Sequence, residues 1–323
     1  MKNKSGIAQF FIICFLLLSV LAIISGCDPR REKTYVIGIV NPNPDEAEGE
    51  KGFINSMANY GYVEGENVSY IKIHKELTER ELTAIKAKKP DLIFSITTPA
   101  TKMLRELTAE TGIPVVFIVY DPVGSGVVES LVRPGGNLTG VRLSGSIPKT
   151  MEWLLAIAPR TKRIFVPIKF DTGAARLSLD RLIESAAKLD IRTTVSEVGT
   201  SEELQASLNS MPGDIDAVFV LHSIFVTSQI EHITDIAVKR KVPVISSGHE
   251  HYKKGAIISY GPRDDRTGAQ AARLADSILH GAPPAGLPVE TSEFFLGINL
   301  QTAQLSGITV PDDILELTDF IVR

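Results

Sequence analysis

Cysteine is nearly absent. The 323 residues hold two, Cys14 and Cys27, so nothing beyond residue 27 can form a disulfide, act as a thiol nucleophile or supply a cysteine metal ligand. Tryptophan is equally scarce, with Trp153 alone, and no run of basic residues stands out. The net charge of −4 and the even spread of Lys and Arg exclude the basic patch that a phosphate backbone requires, so no nucleic-acid partner is expected. No Gly-x-Ser-x-Gly elbow and no phosphate-cradling glycine loop occurs. Gly124-Ser125-Gly126 is too short for a dinucleotide fingerprint and does not directly follow a strand. No cofactor and no catalytic set is therefore expected. Low-complexity segments and short-period repeats are missing too. With 44% hydrophobic and 22% charged residues, the chain is an ordinary globular one with enough length for two lobes.

Long apolar runs are also missing, with one exception. Ile7–Ile24 is interrupted only by Gln9 and Ser19, follows Lys2 and Lys4, and ends in Ser25-Gly26-Cys27. A positive start, an apolar stretch and small residues before a cut mark a secretory signal. The cysteine directly after them resembles a bacterial lipobox, in which that residue is lipidated and becomes the first of the mature chain. About 18 apolar residues is marginal for a span, and a plain anchor needs no Ser-Gly-Cys there. Residues 1–26 are thus expected to be removed, and 27–34 to form a tether lipidated at Cys27. One acyl-modified terminus holds a water-soluble domain at a membrane surface, facing the periplasm or the cell exterior.

From Tyr35 onward, apolar runs of strand length alternate with stretches of helical period. Strands are predicted at Tyr35–Val40, Val68–Ile73, Asp91–Ile96 and Val115–Tyr120. Helices are predicted at Ala47–Tyr60, Thr78–Lys88 and Pro99–Thr111, with a short one at Val127–Leu131. After the turn Arg133–Asn137, a second set of strands follows at Arg163–Ile168, Arg192–Val198, Asp216–Leu221, Val242–Ser246, Ala256–Tyr260 and Val289–Phe295. Its helices are Thr150–Ile157, Leu177–Leu189, Ser201–Asn209, Val226–Lys239 and Thr267–Leu279. Continuous rather than alternating apolar strands suit parallel sheets buried on both faces. The fold class is α/β: two doubly wound, Rossmann-like lobes joined by a hinge. Residues 35–143 with 257–287 are expected to form the first lobe, and 144–256 with 288–323 the second.

Ligands of such sheets bind beyond the carboxyl ends of the strands. The residues there are Asn41, Thr97, Thr98 and Ala100, Tyr120 and Asp121 on the first lobe. On the second they are Phe170, His222 and Ser223, Ser247, and Tyr260 near the last crossover. Thr98 can cap a helix with Pro99 at its first position, and free N–H groups there can hold a carboxylate; a plain cap explains the same residues. Asp121 can accept from an amine or make an Asp-Pro turn, and Tyr120 can stack on a ligand or end a buried strand. His249-Glu250-His251 has its histidines at i, i+2, not the i, i+4 of hydrolytic zinc sites, so no metal is expected.

Four segments carry a family resemblance. They are Gly52-Phe53 through Gly61–Val68, Thr98-Pro99-Ala100 through Ile113–Phe117, Asp121-Pro122-Val123 through Ser130–Val141, and Ser259-Tyr260-Gly261 through Pro288-Val289-Glu290 to Ile298-Asn299-Leu300. The chain resembles ABC-transporter substrate-binding proteins of the type I periplasmic-binding fold, in the branch of tryptophan- and tyrosine-type receptors. The resemblance implies a cleft that closes on a small solute and, as partners, a membrane permease with its ATPase; a monomer is expected. It implies a carboxylate site at Thr97, Thr98 and Ala100 and a further contact at Asp121. Two departures matter. Where the family usually reads Thr-Asp-Asn-Thr, this chain has His222-Ser223-Ile224-Phe225, and where it has Ala-Ser-Asp, this chain has Ser246-Ser247-Gly248. Both remove an acid from the second lobe's wall, and a buried ammonium needs acceptors. An amino acid, a carboxylate and a neutral heterocycle therefore all stay open as ligands, with His222 able to donate instead. The hinge is expected near Leu143–Ser146, Ser246–Ala256 and Leu287–Glu290. A ligand-sensing receptor, and a lipid-anchored enzyme using a carboxylate or histidine base, are the competing functions.

Overall fold

A computed structural model describes residues 33–42, 47–75 and 77–323. The expected signal segment, Cys27 and most of the tether lie outside the described residues.

Thirteen strands and eleven α-helices are described. In the first sheet the strands are β1 (Tyr35–Val40), β2 (Val68–Ile73), β3 (Leu92–Ile96), β4 (Val115–Val119), β5 (Leu138–Arg142) and β11 (Glu290–Thr291). They lie in the order β11-β5-β4-β3-β1-β2 and are all parallel. β3 and β4 are buried at every position, as their unbroken Leu, Ile, Val and Phe demand when helices cover both faces. On one face lie α1 (Ala47–Asn59) and α9 (Asp264–Leu279), where Phe53 stacks on Phe94 with ring centres 4.1 Å apart. On the other lie α2 (Glu79–Ala87) and α3 (Thr98–Thr108), which bury Ile85 and Leu104.

β6 (Arg163–Ile168), β7 (Arg192–Glu197), β8 (Ala217–Val220), β9 (Val244–Ser246), β10 (Ile258–Pro262), β12 (Phe294–Asn299) and β13 (Phe320–Val322) form the second sheet. Its order is β13-β12-β10-β9-β8-β6-β7, with only β10 and β12 antiparallel. β7 is its polar, largely exposed edge. One face is covered by α4 (Ser146–Ile157) and α5 (Gly173–Lys188), the other by α6 (Ser201–Asn209) and α8 (Ile230–Lys239). Short helices α7 (Ile224–Ser228), α10 (Leu300–Leu305) and α11 (Asp312–Glu316) complete the set.

The chain crosses between the sheets three times: from β5 to α4, from β10 to α9, and from β11 to β12. Two of these differ from the expected lobe boundaries. β10 was expected with the first lobe but pairs in the second sheet, with β9 and β12. The single strand expected at Val289–Phe295 is two: Glu290–Thr291 extends the first sheet beside β5, and Phe294–Asn299 joins the second. The cause is local, since Ser292 and Glu293 carry the turn between sheets and Ser292 is pinned by the Thr267 hydroxyl at 2.6 Å. Ser246–Ala256 is not a crossing. It begins at the last residue of β9 and holds a 3₁₀ helix, His249–Lys254, bound to β12 by the Asn299 amide donating to Tyr252 O at 2.8 Å.

β5 and β13 were not foreseen. Leu-Thr-Gly-Val-Arg reads weakly as a strand, and Gly140 is required, because a Cβ there would lie 2.1 Å from Phe117 O. Val127–Leu131 is irregular, bending backbone rather than helix: the N–H groups of Val127 and Val128 both donate to Pro122 O, closing the turn before it. The helix expected at Val226–Lys239 breaks at Gln229 into α7 and α8.

Candidate functional site

Between the lobes lies a cavity of about 920 Å³, the size of a small-molecule site. The first lobe contributes Ile96, Ile118 and Leu143 at or just past the ends of β3, β4 and β5, and Glu48 and Gly49 from the start of α1. The second lobe contributes His222 after β8, Ser247 after β9, the 3₁₀ helix and Phe320. Pro262 through Asp265 close it along the β10–α9 crossing. Strand ends of both parallel sheets thus face one space, the general place for ligands of open α/β sheets.

Of the eleven positions expected from sequence, His222 and Ser247 line this cavity. His222 sits where the lobes touch: its ring lies 4.7 Å from that of Tyr120 across the gap. Neither of its ring nitrogens has a hydrogen-bond partner among the described residues, and Nε2 is sealed from solvent. Burial lowers its pKa to about 4, so the imidazole is neutral at physiological pH. Ser247 is buried, and its hydroxyl makes a long bond of 3.4 Å to Val220 O.

Tyr120 and Asp121 are buried beside that contact. Burial, then the Asp121 charge, raises the Tyr120 pKa. Asp121 accepts from Gly124 N–H at 2.8 Å, as an Asp-Pro turn does, and also faces the Arg181 guanidinium of α5 at 3.7 Å. That ion pair spans the two lobes. Ser223 caps α7 and donates to Asp171 at 3.1 Å, while Asp171 also accepts from the N–H groups of Ile224 and Phe225. Both carboxylates near His222 are therefore engaged by the protein itself.

Other expected residues lie elsewhere. Thr97, not Thr98, holds the N-cap position of α3, and its side chain makes no cap bond. Thr97 has φ +83° and ψ 144°, a region that only glycine adopts without strain, costing of order 1–3 kcal/mol. Thr98 and Pro99 open the helix and Ala100 is buried. Asn41 is buried, with its amide 3.4 Å from Glu50, a carboxylate that His74 also binds at 2.8 Å. Phe170 lies under the Arg176 guanidinium, 3.9 Å from its ring centre. Tyr260 packs between Trp153 and Phe294.

Sequence reasoning missed the wall formed by Arg263, Asp264 and Asp265. No local signal marked it: β10 runs two residues past Tyr260, so its tip is the crossing rather than Tyr260-Gly261. Arg263 forms a bidentate pair with Asp265, at 3.0 and 2.7 Å. Asp264 has no hydrogen-bond or ion-pair partner among the described residues. Its side chain is exposed to the cavity, yet desolvation by the surrounding walls, followed by the charges of Asp265, Glu250 and Glu48, pushes its carboxyl up to about 6. His249 packs on Phe320 with ring centres 5.0 Å apart, and its Nδ1 is buried and unpartnered. Among the described residues no three His, Cys, Asp or Glu side chains are placed to hold a metal.

Two parallel-dominated α/β sheets around a shared cavity define the type I periplasmic-binding architecture. The sequence pattern of the ABC transporter substrate binding proteins matches residues 35–322, and the chain belongs to that family. A tyrosine-binding protein of Clostridioides difficile (strain R20291) is 28% identical over 269 residues, 82% of this chain and 77% of its own length. The ligand-free, open structure of a substrate binding protein with adhesive properties from Clostridium difficile has a TM-score of 0.75 at 27% identity, covering 89% of this chain and 99% of that one. An ABC domain from Streptococcus pneumonia, solved in complex with L-Trp, has a TM-score of 0.75 at 23% identity, covering 90% and 100%; at that identity it speaks to the fold.

Proposed function

We propose that this protein is the solute-capturing component of an ABC importer, and that it holds an aromatic amino acid or a close relative between its lobes. The observation that carries this is a cavity walled by the strand ends of both sheets and by the β10–α9 crossing. A solute there touches both lobes at once, so it favours the arrangement that brings them together. The three crossings, at 143–145, 262–264 and 292–293, are the hinge. The tyrosine-binding relative supports the ligand class.

The acids missing at Ser223 and Gly248 left an amino acid's ammonium without an acceptor. Asp264 supplies one. It lines the cavity, lacks a partner among the described residues, and is crowded by like charge, so a cation beside it relieves repulsion and desolvation together. The importer's permease and ATPase are the partners, and lipid on Cys27 tethers the domain outside the membrane. Among the described residues no helix is long and apolar enough to cross a membrane.

Small-angle scattering of the chain lacking residues 1–26, with and without L-tyrosine, tests closure: the radius of gyration falls on binding. A thermal-shift screen of amino acids against aromatic carboxylates tests the ligand class, since a ligand raises the melting point by mass action. An unchanged radius at saturating ligand counts against closure. A shift with carboxylates lacking an amine, and none with amino acids, refutes the role of Asp264. Metabolic lipid labelling that persists in Cys27→Ala refutes the anchor.

A further inference from the structure

We infer that His222 reads the polar atom on the ring of the bound solute, and so selects an aromatic amino acid whose ring carries O–H or N–H over one with a bare phenyl ring. This rests on the solute-binding proposal above and names a specificity determinant within it.

Position comes first. His222 follows β8 at the strand end, where the lobes meet, and forms part of the cavity wall. The Tyr120 ring lies 4.7 Å away on the opposite lobe, tilted by 54°. Tyr120 is buried and not itself part of the wall; it backs the imidazole, so that His222 presents its ring edge to a solute in the cavity.

The second observation is what this imidazole lacks. Buried polar groups are almost always hydrogen-bonded. Yet neither nitrogen of His222 has a partner among the described residues, and Nε2 is closed off from solvent. Its neighbours are committed: Ser223 caps α7 and binds Asp171, Ser247 points at Val220 O, and the Thr172 hydroxyl reaches His222 only at its backbone carbonyl, at 3.4 Å. Nε2 is sealed by the protein, so Nδ1 is the nitrogen left open to whatever fills the cavity.

Chemistry then sets the class. A neutral imidazole has one donor and one acceptor. Through its open nitrogen it can donate to or accept from a phenolic hydroxyl, according to its tautomer, or accept from an indole N–H. It cannot offset an ammonium, which falls to Asp264 on the crossing. A phenyl ring would leave the imidazole unsatisfied in a desolvated wall, and a site built to bond a hydroxyl rejects the analogue that lacks it far more strongly than size alone would.

Calorimetric titration of the wild type, His222→Leu and His222→Gln with L-tyrosine, L-tryptophan and L-phenylalanine tests this. The wild type should bind tyrosine or tryptophan at least tenfold tighter than phenylalanine. His222→Leu should compress that ratio to threefold or less while retaining phenylalanine, and His222→Gln, with an amide donor and acceptor, should keep an intermediate ratio. Should the leucine variant fail to fold, the glutamine variant decides, because an unaltered ratio there overturns the proposal. A wild type without preference, or an unchanged preference in His222→Leu, overturns the role of His222 and leaves solute binding intact. No binding of any of the three by the wild type overturns the aromatic-amino-acid reading and this proposal with it.

Discussion

Replacing Gly268 by alanine should destabilise the protein, although alanine is the better helix former. Gly268 lies in α9, where that helix presses on α1. A Cβ there would sit 2.0 Å from Gly49 O and 2.7 Å from Phe53 N, against an ordinary contact of about 3.5 Å. Both neighbours are backbone and cannot swing aside, so the helices must part by more than about 1 Å. Overpacking of this kind costs about 1–3 kcal/mol and occasionally more, offset by the roughly 1 kcal/mol that alanine gains over glycine inside a helix. A net loss of about 1 kcal/mol, and up to about 2, follows. Gly173, at the start of α5, has nothing within 4 Å of the same added atom, so Gly173→Ala should be neutral or stabilise by up to about 1 kcal/mol. Urea denaturation of both variants reads the contrast as opposite shifts of the midpoint at constant slope. Because α9 begins at Asp264, Gly268→Ala should also weaken binding of an amine-bearing solute. A Gly268→Ala protein as stable as the wild type would refute the close-packing argument, and equal shifts in the two variants would show that helix propensity alone governs both sites.

Thr97→Gly should raise the melting point by a few degrees, because relief of the positive φ, of order 1–3 kcal/mol, exceeds the roughly 1 kcal/mol of added unfolded-state freedom; a lower melting point in a calorimetric scan refutes it. Acid should destabilise the fold. His222 and His251 are held neutral, each lowered from 6.5 to about 4, so the unfolded chain takes up protons below pH 6.5 that the folded chain refuses until about pH 4. Stability is lost across that window by up to about 3 kcal/mol per histidine, and His222→Leu should show a shallower fall than the wild type between pH 7 and 4.5 in urea midpoints. Arg181→Ala removes the interlobe pair with Asp121. Since Arg181 is 58% exposed, stability should change by less than about 1 kcal/mol, whereas small-angle scattering of the ligand-free protein should show a larger radius; an unchanged radius means the pair does not hold the lobes together.

Much of the fold was legible because its core strands are strong local signals. β1, β3, β4, β6 and β8 lie where apolar runs placed them, since a strand buried on both faces needs no partner to identify it. The failures have one physical character. β5 depends on Gly140 fitting against Phe117 O, β11 has two residues, and β13 ends the chain at a sheet edge. Each is a strand only because a neighbour offers its hydrogen bonds. The candidate site divides in the same way. His222 and Ser247 were found by the rule that ligands lie beyond strand ends. Asp264 was missed because β10 continues past Tyr260 and crosses between lobes, a contact between distant segments with no local mark. Ser223 and Asp121 lie past the ends of β8 and β4, yet their bonds to Asp171, Val226, Gly124 and Arg181 turn them toward the protein itself.

The amino-acid order alone determined the α/β class, the pair of lobes and the kinship with substrate-binding proteins, because periodicity and short motifs act within a few residues. Which sheet β10 and β11 join, which carboxylate stays free and where His222 meets Tyr120 were decided only by tertiary structure. Those outcomes depend on pairing and burial between segments far apart in the chain, and no local pattern encodes the distance between them.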